Sequence, residues 1–288
     1  MSVANFIPQV WVAPLVQALR KKLVYAGPQI VNRDYEGEIS EAGDTVKVTS
    51  IGRPTIKNYV PNETVVTPEK PNTSQRTMVI DQSKHWSVAV DDVDKRQVKG
   101  DLIKPFMSEA AYGLADVVDQ YIANKYTEIP AASVLPDVTF TGTDQEAWGK
   151  LAYFTLVDLQ VLMDERNIPT EGRYAACPPW YRGLIQKNPN FTRVSEYGSG
   201  RVLLNGEIGE IAGFSIVISN NNPKPVPTSN FIQAGVNGAI SFAEQLNQVE
   251  AYRPESSFAD AVKGLAVYGG KVMRPDLLAG VEVTRPGS

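Results

Sequence analysis

Residues Asp101 to Tyr126 read DLIKPFMSEAAYGLADVVDQYIANKY, and this run decides how the rest of the chain is arranged. Leu102, Phe106, Ala110, Gly113, Val117 and Tyr121 recur at spacings of three and four, which lines them along one stripe of a helix. Ile103, Leu114 and Val118 widen that stripe. Asp101 is placed to cap the first turn, and Glu109, Asp116 and Asp119 fall on the opposite side. Pro105 is tolerated because the first turn has no use for its missing N–H. At about 1.5 Å per residue the helix runs almost 40 Å, longer than the average globular helix. Strand-rich sequence flanks it on both sides. The expectation is an α+β chain with this helix as the rod of a flat, extended subunit.

The chain has 288 residues, enough for one large core or two linked domains. Lys and Arg number 28 against 32 Asp and Glu, for a net charge of −4, so the whole surface is not that of a nucleic-acid binder. One cysteine, Cys177, excludes an intrachain disulfide, and one histidine, His85, removes most zinc sites and histidine-based catalytic schemes. No apolar run approaches the roughly 18 residues of a membrane span. The basic cluster at the N-terminus follows the apolar residues instead of preceding them, unlike a signal peptide. A soluble, non-secreted product is expected.

Upstream of the helix, residues 1–35 carry scattered large apolar groups, among them Phe6, Trp11, Leu15 and Leu19. Val10 to Val24 has a helical pattern, with Pro14 near its start and Arg20, Lys21 and Lys22 beside it. Such a piece covers its own domain or packs on a neighbouring chain. Residues 36–90 change character. Val46 and Val48 alternate with polar groups after Gly43-Asp44, as in a half-buried strand. A polar stretch punctuated by Pro54, Pro61, Pro68 and Pro71 follows. Strand signals return at Gln75 to Asp81 and at His85 to Val90, where Trp86, Val88 and Val90 share a face. Two strands joined by a proline-rich tip make a long hairpin, which is marginal alone in water and needs a partner surface.

Downstream, Asp144 caps a second helix to about Arg166, with Trp148, Leu151, Ala152, Thr155, Leu159 and Leu162 on its main face. Asn167 and Pro169 stop it. Arg173 to Ala176 reads as a strand entering the rigid Cys177-Pro178-Pro179-Trp180 turn, with a short helix after it. Residues 188–207 read as loop. Ile211 to Ile218 reads as one strand and Gly238 to Val249 as another. Phe258 to Leu265 reads as a short helix, Ala266 to Arg274 as a strand, and Val281 to Val283 as a last one.

The search for chemistry returns little. There is no phosphate-binding loop, dinucleotide fingerprint or nucleophile elbow. Cys177 reads as a small buried side chain, and His85 as a surface or packing residue. Carboxylate pairs such as Glu36/Glu38 and Glu207/Glu210 are the only handle for an acid-dependent hydrolase. No catalytic, metal or cofactor site is assigned. The apolar arm, the unsupported hairpin and the long helix point to structure and assembly.

The order of packing and turn patterns over the whole chain resembles the major capsid proteins of tailed bacteriophages with the HK97-type fold. The likeness runs from Phe6-Ile7-Pro8-Gln9-Val10-Trp11 through Asn32-Arg33-Asp34-Tyr35-Glu36-Gly37 and Gly43-Asp44-Thr45-Val46 to Asp91-Asp92-Val93-Asp94. It continues in Gly206-Glu207-Ile208-Gly209-Glu210-Ile211-Ala212-Gly213-Phe214 and closes in Phe258-Ala259-Asp260-Ala261-Val262-Lys263-Gly264-Leu265.

The resemblance implies roles for these regions. Residues 1–35 would be an N-terminal arm crossing to adjacent subunits through Phe6, Trp11, Leu15 and Leu19. Residues 36–90 would be the extended β-hairpin loop, packing through Val46, Val48, Trp86 and Val88. Residues 91–130 and 235–275 would form a peripheral domain around a spine helix, 101–126, with Leu102, Phe106, Ala110, Val117 and Tyr121 as its core. Residues 131–234 and 276–288 would form an axial domain. The subunit would assemble with copies of itself, as pentamers and hexamers, into an icosahedral virion shell around double-stranded DNA. Arg20, Lys21, Lys22 and Arg33 are candidates to face that DNA. A scaffolding protein and a portal are implied partners, assembly would occur in the host bacterial cytoplasm, and no membrane is involved. The shell subunit of a cargo-enclosing bacterial nanocompartment is the nearest alternative.

Overall fold

The long helix forms where the periodicity puts it. It is α1, Ile103–Ala123, tightening into a 3-10 turn over Asn124–Glu128. In the computed structural model the described residues are 23–35, 45–51, 55–56, 58, 70, 73–91, 103–142, 144–187, 209–255 and 259–286. Before α1 come β1 (Val31–Asn32), β2 (Thr45–Ile51), β3 (Thr73–Val79) and β4 (Gln82–Asp91). After it come β5 (Val134–Thr139), α2 (Gln145–Glu165), β6 (Arg173–Cys177), α3 (Pro179–Gln186), β7 (Glu210–Ile211) and β8 (Phe214–Ile218). The chain closes with β9 (Ser229–Val236), β10 (Ile240–Tyr252), β11 (Ala259–Val272) and β12 (Leu278–Thr284).

The strands make a four-stranded sheet in the order β1-β10-β11-β4, a six-stranded sheet in the order β5-β12-β9-β6-β8-β7, and the separate pair β2-β3. α1 lies where the two larger sheets meet. Its buried residues share one core with Phe242, Tyr268 and Val272 of the first sheet and with Tyr174, Ala176, Phe231 and Leu278 of the second. A second core packs α2 and α3 on the other face of the six-stranded sheet, through Ala175, Cys177, Ile232, Ala234, Ala279, Val281 and Val283. The two-residue period of a strand does the sorting: Tyr174 and Ala176 face α1, while Ala175 and Cys177 face α2. α2 is capped as expected, with the Asp144 carboxylate accepting from Glu146 N at 2.9 Å.

The stripe that α1 buries is not the expected one. Met107, Ala111, Leu114, Ala115, Val118, Ile122 and Ala123 are buried, whereas Phe106 and Val117 each remain 41% exposed. Gly113 is exposed, Ala110 and Tyr121 are half-covered, and Leu102 lies outside the described residues. The buried face is turned from the expected one by about one residue, roughly 100°. α1 is apolar over more than half its circumference, so periodicity alone does not choose a face. The face chosen carries Ala111, Ala115 and Ala123, whose small side chains let both sheets approach closely.

Three further expectations are corrected, and one unassigned stretch is filled. β4, with Trp86 and Val88, is not part of the hairpin: it is an edge of the four-stranded sheet, with Trp86 opposite Gly264 and Val88 opposite Val262 of β11. The hairpin is β2 with β3, where Val46 pairs with Met78 and Val48 with Arg76. Ile211 to Ile218 is not one strand, because Ala212 and Gly213 both take positive φ (48° and 71°) and turn the chain back between β7 and β8. That left-handed pair is the usual two-residue hairpin turn. Phe258 to Leu265 is not helical: from Ala259 it belongs to the long strand β11, which is paired on both sides, and this tertiary pairing overrides an alanine-rich local preference. Ser229–Val236, unassigned in sequence, is the fully lined strand β9 in the middle of the six-stranded sheet. It lacks alternation because both of its faces are covered.

The base of the hairpin is seated on the sheet. Met78 and Ile80 are buried with Ala243, Val267 and Met273, and the Arg76 guanidinium donates to Val272 O at 3.2 Å. At Gly269 of β11 a Cβ would lie 2.5 Å from the Val79 carbonyl oxygen and 2.9 Å from Ile80 Cα. Backbone cannot yield there as a side-chain tip would. Gly269→Ala is therefore expected to destabilise the chain by about 1–3 kcal/mol, read as a lower thermal midpoint. An unchanged midpoint would mean the hairpin base is not seated on β11.

Candidate assembly interface

The first described residues form a turn pinned to α1. Gly27 N donates to Val24 O and Ile30 N to Gly27 O, and Tyr25, Ala26 and Ile30 are buried. The pin is Asp119. It was expected on the solvent side of the helix, yet it is only 2% exposed. Its two carboxylate oxygens accept from Val24 N at 2.8 Å and Ala26 N at 3.0 Å. Burial raises the pKa of Asp119 from its usual value, and the hydrogen bonds from residues 24–26 pull the other way.

Arg33 belongs to the same anchor. Its guanidinium donates twice to Ala26 O, at 3.0 and 2.8 Å, lies 3.6 Å from the Glu244 carboxylate and sits 5.1 Å from the centre of the Phe242 ring. That corrects its assignment as a DNA-facing residue: its charge is spent inside the fold, holding the turn closed. Asn237 Nδ2 donates to Pro28 O at 2.6 Å and ties the turn to the end of β9. Phe6, Trp11, Leu15, Leu19, Arg20, Lys21 and Lys22 lie outside the described residues, as does the 188–207 loop.

The Cys177 thiol is fully buried, and burial pushes its pKa up to about 12, which leaves no thiolate near neutral pH. His85 is exposed on β4, far in sequence from Cys177. No cluster of metal-ligating side chains exists among the described residues. No helix among them is long and apolar enough to cross a membrane.

Exposed apolar surface is what the structure offers instead. On α1, Phe106, Gly113 and Val117 form an uncovered stripe. On α2, Leu151, Phe154 and Val161 point away from the core, Phe154 being 54% exposed. An open apolar trough of about 540 Å³ runs past Tyr126, Ile129, Leu135, Pro136 and Phe231. In the hairpin, Gln75, Arg76, Thr77 and Val79 are exposed above its seated base. These surfaces are spread over the chain and do not converge on a cleft.

Residues 76–281 match the model of the phage capsid protein family. The chain belongs to that family. It is a structural, non-enzymatic shell subunit of a virion, assembling with copies of itself. A protein of Mycobacterium phage Che8 superposes with a TM-score of 0.68 at 27% identity, over 90% of each chain. The capsid structure of cyanophage P-SCSP1u gives a TM-score of 0.67 at 20% identity, covering 90% of this chain and 86% of that one. The virus-like particle from Pyrococcus furiosus gives 0.58 at 10% identity, over 95% and 98% of the two chains. The fold is the mixed α+β, HK97-like capsid fold. No curated protein sequence matches the chain significantly.

Sequence reasoning missed Asp119 as the anchor. The available signal was its place between Ala115 and Ala123, one turn to either side, an acid set into an apolar arc. Asp119→Asn keeps the shape but has one acceptor oxygen, and it turns an NH2 toward a backbone N–H. The variant is expected to lose about 1–3 kcal/mol of stability, read as a lower denaturant midpoint. The folded-state pKa of Asp119 is raised, so its contribution is fully present below the ordinary carboxylate value of 3.8 and fades as pH climbs through the folded value. The penalty of the substitution should therefore shrink as pH rises through that window. A penalty that grows there would contradict a burial-dominated Asp119.

Proposed function

We propose that the subunit assembles as pentamers and hexamers into an icosahedral shell that encloses phage double-stranded DNA. The observation that carries this reading is the β2–β3 hairpin in a chain of the capsid family, whose described residues are seated on the sheet at its base. A two-stranded ribbon gains stability by lying on another surface, and in a shell that surface is a neighbouring copy. Phe6, Trp11, Leu15 and Leu19 of the N-terminal arm reach a neighbour in the same way. Val46 and Val48 contribute to the hairpin's packing there, while Trp86 and Val88 keep the sheet beneath it in place.

In this reading the four-stranded sheet with α1 is the peripheral domain. The six-stranded sheet with α2 and α3 is the axial domain, whose 188–207 loop meets its equivalents at the capsomer centre. Arg20, Lys21 and Lys22 supply local positive charge for a surface lined with packaged DNA, a contact that is nonspecific and weakens with salt. A scaffolding protein and a portal complete the assembly, which takes place in the host bacterial cytoplasm.

Negative-stain microscopy of the purified chain is expected to show capsomer rings and closed shells. Shortening the hairpin by removing residues 52–70 should leave the circular dichroism of the body intact while closed shells disappear. A wild-type chain that stays a compact monomer at high concentration would defeat the proposal. Shells that package host proteins and exclude DNA would move it to the nanocompartment alternative.

A further inference from the structure

The loop that leads into β9 holds one apolar side chain out toward solvent. Residues 223–227 read Pro-Lys-Pro-Val-Pro, so prolines fix the backbone at alternate positions. Pro223 is buried, and its carbonyl oxygen accepts from Phe231 N at 2.8 Å, which roots the loop. At the tip, Val226 N donates to Ser229 Oγ at 3.2 Å, and Ser229 N donates to Val226 O at 3.0 Å. Both backbone groups of Val226 are occupied, while its side chain is 49% exposed. A segment braced in this way loses little conformational freedom when it binds.

The apolar trough beside β5 is also firmly made. Tyr126 and Phe231 meet in it, with ring centres 4.9 Å apart. Phe231 lies so close over Gly280 that a Cβ there would overlap its ring. Leu135 and Pro136 line the trough from β5, the outer strand of the six-stranded sheet. Arg166 braces the entry to β5 by donating to Ala132 O and Ser133 Oγ. Pro136 has no N–H to offer, so the edge of β5 is a poor template for an added strand. A trough lined by aromatic rings instead suits a proline-rich segment, which is already ordered before it docks.

Charge completes the match. Lys224 stands two residues before Val226, at most about 7 Å along the chain. Asp137 stands two residues after Leu135, about 6.5 Å along β5. Both are exposed, and neither has an ionic partner among the described residues. The other acid beside the trough, Glu128, is already paired, with Lys125 at 3.4 Å and Lys271 at 3.1 Å. Among the described residues, none of the 223–228 loop lines the trough of its own chain.

We propose that the Pro223–Pro227 loop of one copy docks in the trough of a second copy. Val226 and its flanking prolines lie against Tyr126, Leu135 and Pro136, and Lys224 meets Asp137. A second copy is the occupant because the chain assembles with copies of itself, which brings one loop for every trough. The inference rests on that self-association and adts a named point of contact to it.

The test co-expresses two full-length variants, Val226→Cys and Leu135→Cys, one of them carrying a size tag so that the mixed dimer is resolved. A short bismaleimide is then added, and any link between the two positions joins two chains. Cys177 stays out of the reaction because its thiol is buried. The mixed dimer is expected at several-fold the yield given by Val226→Cys with Leu151→Cys, on the remote α2 face. Lys224→Glu in the loop variant is expected to lower that yield several-fold. Asp137→Lys in the trough variant should then restore it, with circular dichroism unchanged throughout. A yield no higher than background would overturn the proposal, as would a charge exchange that restores nothing or a foreign protein linked to Leu135→Cys in place of a second copy. Microscopy of the same samples keeps this inference apart from the shell reading. Shells without the link reject the docking and keep the shell, and linked copies that never close into shells do the reverse.

Discussion

The burial of one face of α1 between two sheets is the constraint on which the rest of the fold depends. Met107, Leu114, Val118 and Ile122 meet Phe242 and Tyr268 on one side and Tyr174 and Phe231 on the other, in one continuous core. Each large side chain fully removed from water contributes about 1.5–3 kcal/mol, so this seam outweighs any single polar contact in the molecule. It also fixes how the two sheets sit on the helix, and therefore where the hairpin and the α2 face point.

A polar anchor is set into that apolar seam. An unpaired buried carboxylate would be costly, but Asp119 has two backbone N–H groups aimed at its oxygens. The same groups belong to a tight turn that would otherwise bury unsatisfied donors. Helix and turn therefore satisfy each other, and the point where the N-terminal segment leaves the body is fixed. Arg33 reinforces this by bridging Ala26 O and Glu244 across the face of Phe242.

Function in such a chain resides in surfaces. The only thiol is sealed in the second core, the only histidine is exposed on an edge strand, and most of the large apolar groups left in water among the described residues lie on α1, α2 and the hairpin. A subunit that must meet several copies of itself needs several separated patches more than it needs one cleft. The glycines of β11 serve the same end from inside: Gly264 admits the Trp86 ring and Gly269 admits the Val79 carbonyl, so the edge strand and the hairpin base settle tightly on the sheet.

The sequence by itself determined that a long helix stands within 101–126, that Asp144 opens a second helix, that a strand at 173–176 runs into a proline turn and a short helix, and that strands lie at 45–51 and near 75–81. These follow from local periods, caps and turn residues, which act over a few positions. It also carried the family likeness, because the order of such patterns spans the whole chain. Only the tertiary structure decided which of two apolar stripes on α1 is buried, that Ala259–Val272 is a strand, that β4 joins β11 instead of the hairpin, and that Asp119 and Arg33 close the N-terminal turn. Each of those outcomes depends on partners tens to hundreds of residues away. A period of 3.6 or 2 tells which side chains share a face, and only packing tells what that face will meet.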